Sequence, residues 1–174
     1  DFVRGPLIGQ YSPAIEAGIT AHRKLDAHVD QQPEIRAFLQ RFSHPMRRYA
    51  GIVADVYYDH LLACEWHRYY QQPLDSFCQD FYSNLGRYSD NLPAGALVFL
   101  RRAPQIGWLQ SYAHAEHLPM ILQRIGERLR RPVPLQNALP VINQHKTAIA
   151  LEFHQLYPRL QRFVQNSLSG IELH

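Results

Sequence analysis

Much that would assign this chain to a familiar class is missing from it. Cysteine is scarce: Cys64 and Cys78 are the only two, and their spacing fits neither a CxxC zinc pair nor a redox pair. Two free, buried thiols in a reducing cytosol is the expectation. No apolar run approaches the roughly 20 residues of a membrane span, and no signal peptide is visible, although the sequence opens on Asp1 without a methionine. There is no GxSxG, no P-loop and no GxGxxG, which leaves serine-hydrolase and mononucleotide-fold readings without support. Strand-like alternation is absent, as are repeats, low-complexity tracts and any linker long enough to divide the chain. Charge is sparse at 19% of residues, with a formal balance of +3 and a sequence pI near 9.0. That mild basic bias suits an acidic partner or a phosphate-bearing substrate. It is not the dense basic patch that argues for nucleic acid.

What is present is helical periodicity over 174 residues, enough for one domain with a real core. Ser12-Pro13 starts a helix that should run to about Val29, with Glu16 in its first turn. Its inner side is expected to carry Ile15, Ile19, His22, Leu25, Asp26 and Val29. A second helix starts at Pro33 and ends near Ser43. A long third is expected from about Pro45 to Tyr70, and a fourth from Pro73 to about Tyr88. Pro93 opens a fifth region, broken in two by Pro104 and Gly107. His114 to Arg130 reads as a sixth helix. The last runs from Leu135 or Pro140 to Leu168, closed by Ser169-Gly170. The expectation is a single all-α domain over residues 1–174.

Ten histidines are many for this length, and histidine suits metals and proton transfer near neutral pH. In GITAHRKLDAHVD, Gly18 to Asp30, His22, Asp26 and Asp30 fall four residues apart, along one stripe of a helix. In DVYYDH, Asp55 to His60, Asp55 and Asp59 repeat that spacing, with His60 adjoining. The first stripe also reads as a solvated face partnered by Arg23 and Lys24. The second lies in an apolar stretch, where acids need pairing or coordination. Two helices that each offer an acid or imidazole at i and i+4 can supply ligands to one cation. Oxygen and imidazole donors without thiolate favour Mg²⁺ or Mn²⁺ over structural zinc. Asp1 and Arg4 form an acid-plus-guanidinium pair, and Arg23 is a second fork of donors for phosphate oxygens. The residues alone lead to a helical protein with a divalent-metal hydrolase site.

Together DFVRG at Asp1 to Gly5, AGITAHRKLDAHVD at Ala17 to Asp30 and DVYYDHLL at Asp55 to Leu62 resemble the bacterial acyl carrier protein phosphodiesterases. WLQSY at Trp108 to Tyr112 and FHQLYPRL at Phe153 to Leu160 look like later segments of that family. The resemblance implies a helical bundle distantly related to the HD-type metal-dependent phosphohydrolases. It implies hydrolysis of the phosphodiester joining 4'-phosphopantetheine to a serine of holo acyl carrier protein, with Mn²⁺ or a similar cation required, in the cytoplasm. The family's important aspartate carries over to Asp1, the HRKLD block to His22 and Asp26, and the DH pair to Asp59 and His60. Asp1, His22, Asp26, Asp59 and His60 are the expected metal ligands; Asp1, His60, Arg23 and Arg4 are the expected catalytic groups, the arginines holding phosphate. The family carries a further segment ahead of DFVRG with a short His-containing stretch, so a ligand or core helix is expected beyond these residues. The acidic carrier protein would dock on Arg101, Arg102, Arg124, Arg128, Arg130 and Arg131. Two other readings stand beside this one: an HD-like phosphohydrolase of a nucleotide or small phosphoester, and a non-catalytic helical binding module whose His/Asp stripes form buried polar networks.

Overall fold

The structure, a computed structural model, describes Val3, residues 5–87 and residues 92–168. Those residues form eight α-helices and no strand, as the periodicity predicts: α1 Pro13–Val29, α2 Pro33–Gln40, α3 Ala50–Cys64, α4 Leu74–Arg87, α5 Ala94–Arg102, α6 Trp108–Ser111, α7 Leu118–Glu127 and α8 Leu139–Leu168. The proline-led starts of α1 and α2 fall where the sequence puts them, because proline's fixed φ suits the first helical turn and its missing N–H costs nothing there.

The long third helix is instead three pieces. A 3-10 turn at Met46–Tyr49 precedes α3, and another at Trp66–Arg68 follows it. Glu65 leaves helical geometry at φ −109°, ψ 19°. Trp66 then turns inward, its Nε1 donating to the Gln72 carbonyl at 2.7 Å. The sixth and last helices are likewise preceded by 3-10 turns, Ala115–His117 and Leu135–Ala138. Pro119 and Pro140 sit in the first turns of α7 and α8 and have no N–H with which to continue an earlier α-turn. The expected ends at Tyr88 and Ser169-Gly170 lie outside the described residues.

α3 is the central element. Ala50, Val53, Ala54, Val56, Tyr57 and Leu61 are all buried, so the helix is apolar around most of its circumference, as a core helix must be. It packs on α2, α7 and α8. Phe38 and Phe42, Leu118, Ile121 and Leu122, and Ile142, Ile149 and Phe153 complete this main core. Two ion pairs clamp α2 along α8. Arg41 forks onto Glu152, with Nη1 at 3.0 Å from Oε2. Arg159 donates to the buried Glu34 at 2.7 Å. Burial works against the Glu34 charge, but the Arg159 hydrogen bond and charge and a backbone N–H outweigh it, leaving its pKa below the usual carboxylate value.

A smaller layer of α4, α5 and α6 forms around Cys78, Tyr82 and Ala103. Cys78 is buried as expected, whereas Cys64, also free, is exposed. Cys64 lies in the last turn of α3, beyond the closed part of the core, and its thiol donates to the Ala113 carbonyl at 3.4 Å. α1 lies outside, along α8. None of its residues is fully buried, and it is held by partly buried apolar side chains and by His28 stacked on Phe163 with ring centroids 4.0 Å apart.

At the C-terminal end of α7, the Gly126 carbonyl accepts from the N–H groups of Leu129 and Val133. A Cβ at Gly126 would overlap the Val133 carbonyl oxygen and press on Leu135. Gly126→Ala should therefore destabilise the protein by about 1–3 kcal/mol through overpacking. A urea titration that shows no lower midpoint for this variant would contradict the packing.

Candidate active site

The acids of α3 occupy the one stripe of that helix not given to the main core. Asp55 and Asp59 lie one turn apart and are accessible to water, yet they stand in a concave seam where the surrounding protein removes part of their hydration. The Asp55 carboxyl is raised to about 6, first by that desolvation and then by the charges of Asp26 and Asp30 on α1. Asp59 is raised to about 6 by desolvation and then by Asp55. Four carboxylates from two helices thus share one field, as the paired i, i+4 spacings anticipate. Asp30, Asp55 and Asp59 have no ion-pair partner among the described residues.

The other expected site residues divide. His22 pairs with Asp26, Nδ1 to Oδ2 at 3.0 Å, with both side chains more than half exposed. Of the side expected to face inward on α1, Ile15, Ile19, Leu25 and Val29 are partly buried, whereas His22 and Asp26 are exposed. Arg23 donates from Nη2 to the Val3 carbonyl at 3.0 Å, which ties Val3 to α1. Asp1 and Arg4 lie outside the described residues. His60 is buried, and its Nδ1 lies 2.7 Å from the Tyr112 carbonyl. A carbonyl only accepts, so Nδ1 carries the proton and Nε2 is the nitrogen left over. His60 packs on Tyr57 and Cys64, turned away from Asp59 by the 100° step between neighbours on a helix. Asp59 is brought together with Asp55, and Asp55 in turn feels Asp26 and Asp30; His60 is not part of this group.

Asp59 also belongs to the wall of a pocket of about 220 Å³ at the seam between the two layers. α3 contributes Leu62 and Ala63 beside it, and the turn after α3 contributes Trp66 and Tyr70. The small layer closes the far side with Leu74, Phe77, Cys78 and Leu109. Tyr112 and Tyr157 complete the wall. The Tyr112 phenol is pushed up by burial and by the charges of Asp59 and Asp55. Tyr157 is pushed up by burial, by its hydrogen bond with the Tyr70 hydroxyl and, more weakly, by Asp59. Both phenols are therefore neutral neighbours of the acid. Residue type and spacing point to no site role for Tyr112 and suggest only a kink or packing feature at Tyr157-Pro158, although both tyrosines stand in the later segments, WLQSY and FHQLYPRL, that carry the family resemblance.

For a divalent cation the test is the donor set. Crowded carboxylates without cationic partners, elevated by desolvation and then by their own repulsion, are the chemistry a hard cation relieves. Among the described residues, however, no three His, Cys, Asp or Glu side chains converge to hold a metal ion. The donor chemistry fits, and no coordination geometry follows from it. In chemical terms the arrangement offers two carboxyls that exchange protons near pH 6, at the mouth of an apolar cleft.

Fold and site together define an all-α protein with an acid cluster on the wall of an apolar pocket. A family model described as acyl carrier protein phosphodiesterase matches residues 1–160. The chain belongs to the acyl carrier protein phosphodiesterase family. An acyl carrier protein phosphodiesterase of Serratia proteamaculans is 31% identical over 166 residues, covering 93% of this chain and 84% of the relative. Relatives of the same name from Pectobacterium atrosepticum and Yersinia pestis are 30% and 31% identical, each covering 95% of this chain and 86% of the relative. No solved structure matches the chain.

The raised carboxyls set the sign of a pH effect. A carboxyl with a folded pKa near 6 against about 4 unfolded binds more protons in the folded state between those values. Its contribution to stability is fully present below pH 4 and is lost as pH rises through 6. Asp59→Asn should therefore raise the melting temperature of the metal-free protein at pH 7.5, by up to about 4 °C because water screens these groups, and leave it unchanged near pH 4. Melting curves at the two pH values check this, and an equal shift at both would remove the electrostatic cause.

Proposed function

We propose that this chain hydrolyses the phosphodiester between 4'-phosphopantetheine and the serine of holo acyl carrier protein, releasing apo carrier protein and 4'-phosphopantetheine. The observation that carries this reading, beside family membership, is that Asp59 belongs both to the acid cluster and to the pocket wall. A phosphodiester brought to the seam beside Asp59 would have one ester arm in the pocket and the other in solvent, on the side open to a carrier protein. Water adds its oxygen to phosphorus, the bond from phosphorus to the serine oxygen breaks, and that oxygen takes up a proton. The proton that the attacking water gives up balances the one that the leaving serine oxygen takes up.

The cation we propose is Mn²⁺ or Mg²⁺, held by Asp59, Asp55 and Asp26 with His22, and by Asp1 as the family resemblance implies; the His60 ring, which the resemblance also implies, is turned away to the Tyr112 carbonyl and is left out of this set. When bound it supplies positive charge against the phosphoryl oxygens and eases ionisation of the attacking water. The excess of negative charge at the seam supports this cation. The HD-like relation is part of the same proposal and is supported by the resemblance and by acids of two helices that act on one another. A cytoplasmic setting accords with the two free thiols. Among the described residues no helix is long and apolar enough to cross a membrane.

Mass analysis of holo acyl carrier protein incubated with this protein and Mn²⁺ should show loss of the phosphopantetheine mass, blocked by chelator. Asp59→Asn should lower kcat by at least about 100-fold. Carrier protein left intact while small phosphoesters are cleaved would move the assignment to a small-molecule phosphohydrolase. No turnover of either would leave a binding module.

Docking of the acidic carrier is proposed on Arg101 and Arg102 of α5 and on Arg124, Arg128, Arg130 and Arg131 around the end of α7. All six are exposed and without ion-pair partners among the described residues. KM should rise steeply between low and physiological salt, because screened surface charges lose their pull. A flat salt response would rule this surface out.

A further inference from the structure

The pocket at the seam is too apolar to be a phosphate site and too closely joined to Asp59 to be independent of the chemistry. Its walls are Leu62, Ala63, Trp66, Leu74, Phe77 and Leu109, with the phenols of Tyr112 and Tyr157 as polar points near the acid. A ligand beside Asp59 meets aliphatic and aromatic carbon together with these hydroxyl partners. A cavity of about 150 Å³ takes a benzene ring, so the pocket's 220 Å³ admits roughly eight or nine non-hydrogen atoms. That is a short, branched piece of a substrate and not a long chain.

We propose that this pocket binds the branched segment of the prosthetic group next to the phosphate: the dimethyl-substituted carbon, the carbinol and its hydroxyl, and the first carbonyl. Counted from the methylene that bears the phosphate ester, this segment has about eight non-hydrogen atoms, the number the pocket volume admits. The assignment rests on the hydrolase reading above, since only a phosphodiester at Asp59 places that segment at the pocket mouth. The thiol end of the arm, and any acyl chain on it, then lies beyond the pocket and contributes little to recognition. Specificity would arise within a few bonds of phosphorus, where apolar walls exclude water from the side of the phosphodiester that stays esterified.

The pocket carries its own reporter. Trp66 is in the wall, and Trp108, the only other tryptophan, is not among the lining residues. Fluorescence titration of the full chain with panthenol, which has the branched segment and no phosphate, should give a saturable change with a dissociation constant of about 1–10 mM. N-acetylcysteamine, which reproduces the thiol end, should give none at the same concentrations. Ala63→Phe fills the pocket and should abolish the panthenol response and lower kcat/KM for holo carrier protein at least tenfold. Where Ala63→Phe loses its native circular dichroism, Phe77→Ala, at a more exposed part of the wall, should weaken panthenol binding at least threefold. No saturable panthenol response, a stronger response to N-acetylcysteamine, or a folded Ala63→Phe protein with unchanged binding would each overturn the assignment. Cleaved carrier protein without panthenol binding fails the pocket assignment alone. Panthenol binding lost in Ala63→Phe, in a protein that leaves carrier protein intact, keeps the pocket and fails the hydrolase reading.

Discussion

Burial of α3 governs the rest of this molecule. Val53, Val56, Tyr57 and Leu61 anchor a helix surrounded on most sides by α2, α7 and α8, and close packing leaves it one rotational setting. A helix turned by one residue would put Asp55 and Asp59 into the apolar core, at a cost no neighbour there could offset. The hydrophobic effect therefore aims the acids. They face the seam because every other direction is already occupied by carbon.

That aim has an electrostatic consequence. With Asp26 and Asp30 on the neighbouring helix, the α3 acids are held where ionisation is disfavoured, so the site works against folding at neutral pH. The opposing stability comes from elsewhere. Phe38, Leu122, Leu135, Ile142 and Ile149 are almost wholly buried, and the Arg41–Glu152 and Arg159–Glu34 pairs bind α2 to α8. Removal of one partner from the second pair would strand a buried carboxylate, which is where such pairs become costly. Strain at the site and paired charge away from it are the division expected of a functional scaffold.

The seam joins parts of the chain that are far apart in sequence. Asp59 comes from the central helix, Leu74 and Phe77 from α4, Leu109 and Tyr112 from the region of α6, and Tyr157 from the middle of α8. A small second core around Cys78 and Tyr82, with the Tyr82 hydroxyl accepting the Leu109 N–H at 3.1 Å, keeps the far wall in place. The site is thus a product of two layers meeting, and neither layer alone would present the acid beside an apolar pocket.

Local chemistry determined much of this in the sequence itself. Prolines at 13 and 33 mark helix starts, Pro104 and Gly107 mark a break, and the i, i+4 acids form stripes wherever a helix forms. Those features depend on backbone geometry within a few residues, so they are legible without the fold. Family membership was legible for the same reason, since it rests on short ordered blocks. What a stripe faces depends on which surfaces the remaining helices cover, and only tertiary packing decided that. It left His22 and Asp26 exposed on α1, while Ile15, Ile19, Leu25 and Val29 are partly buried. It sent the His60 ring to the Tyr112 carbonyl, 52 residues away in sequence, and it made Tyr112 and Tyr157 neighbours of Asp59. Helical period constrains spacing along one element, whereas the partner across a seam is chosen by burial summed over the whole chain.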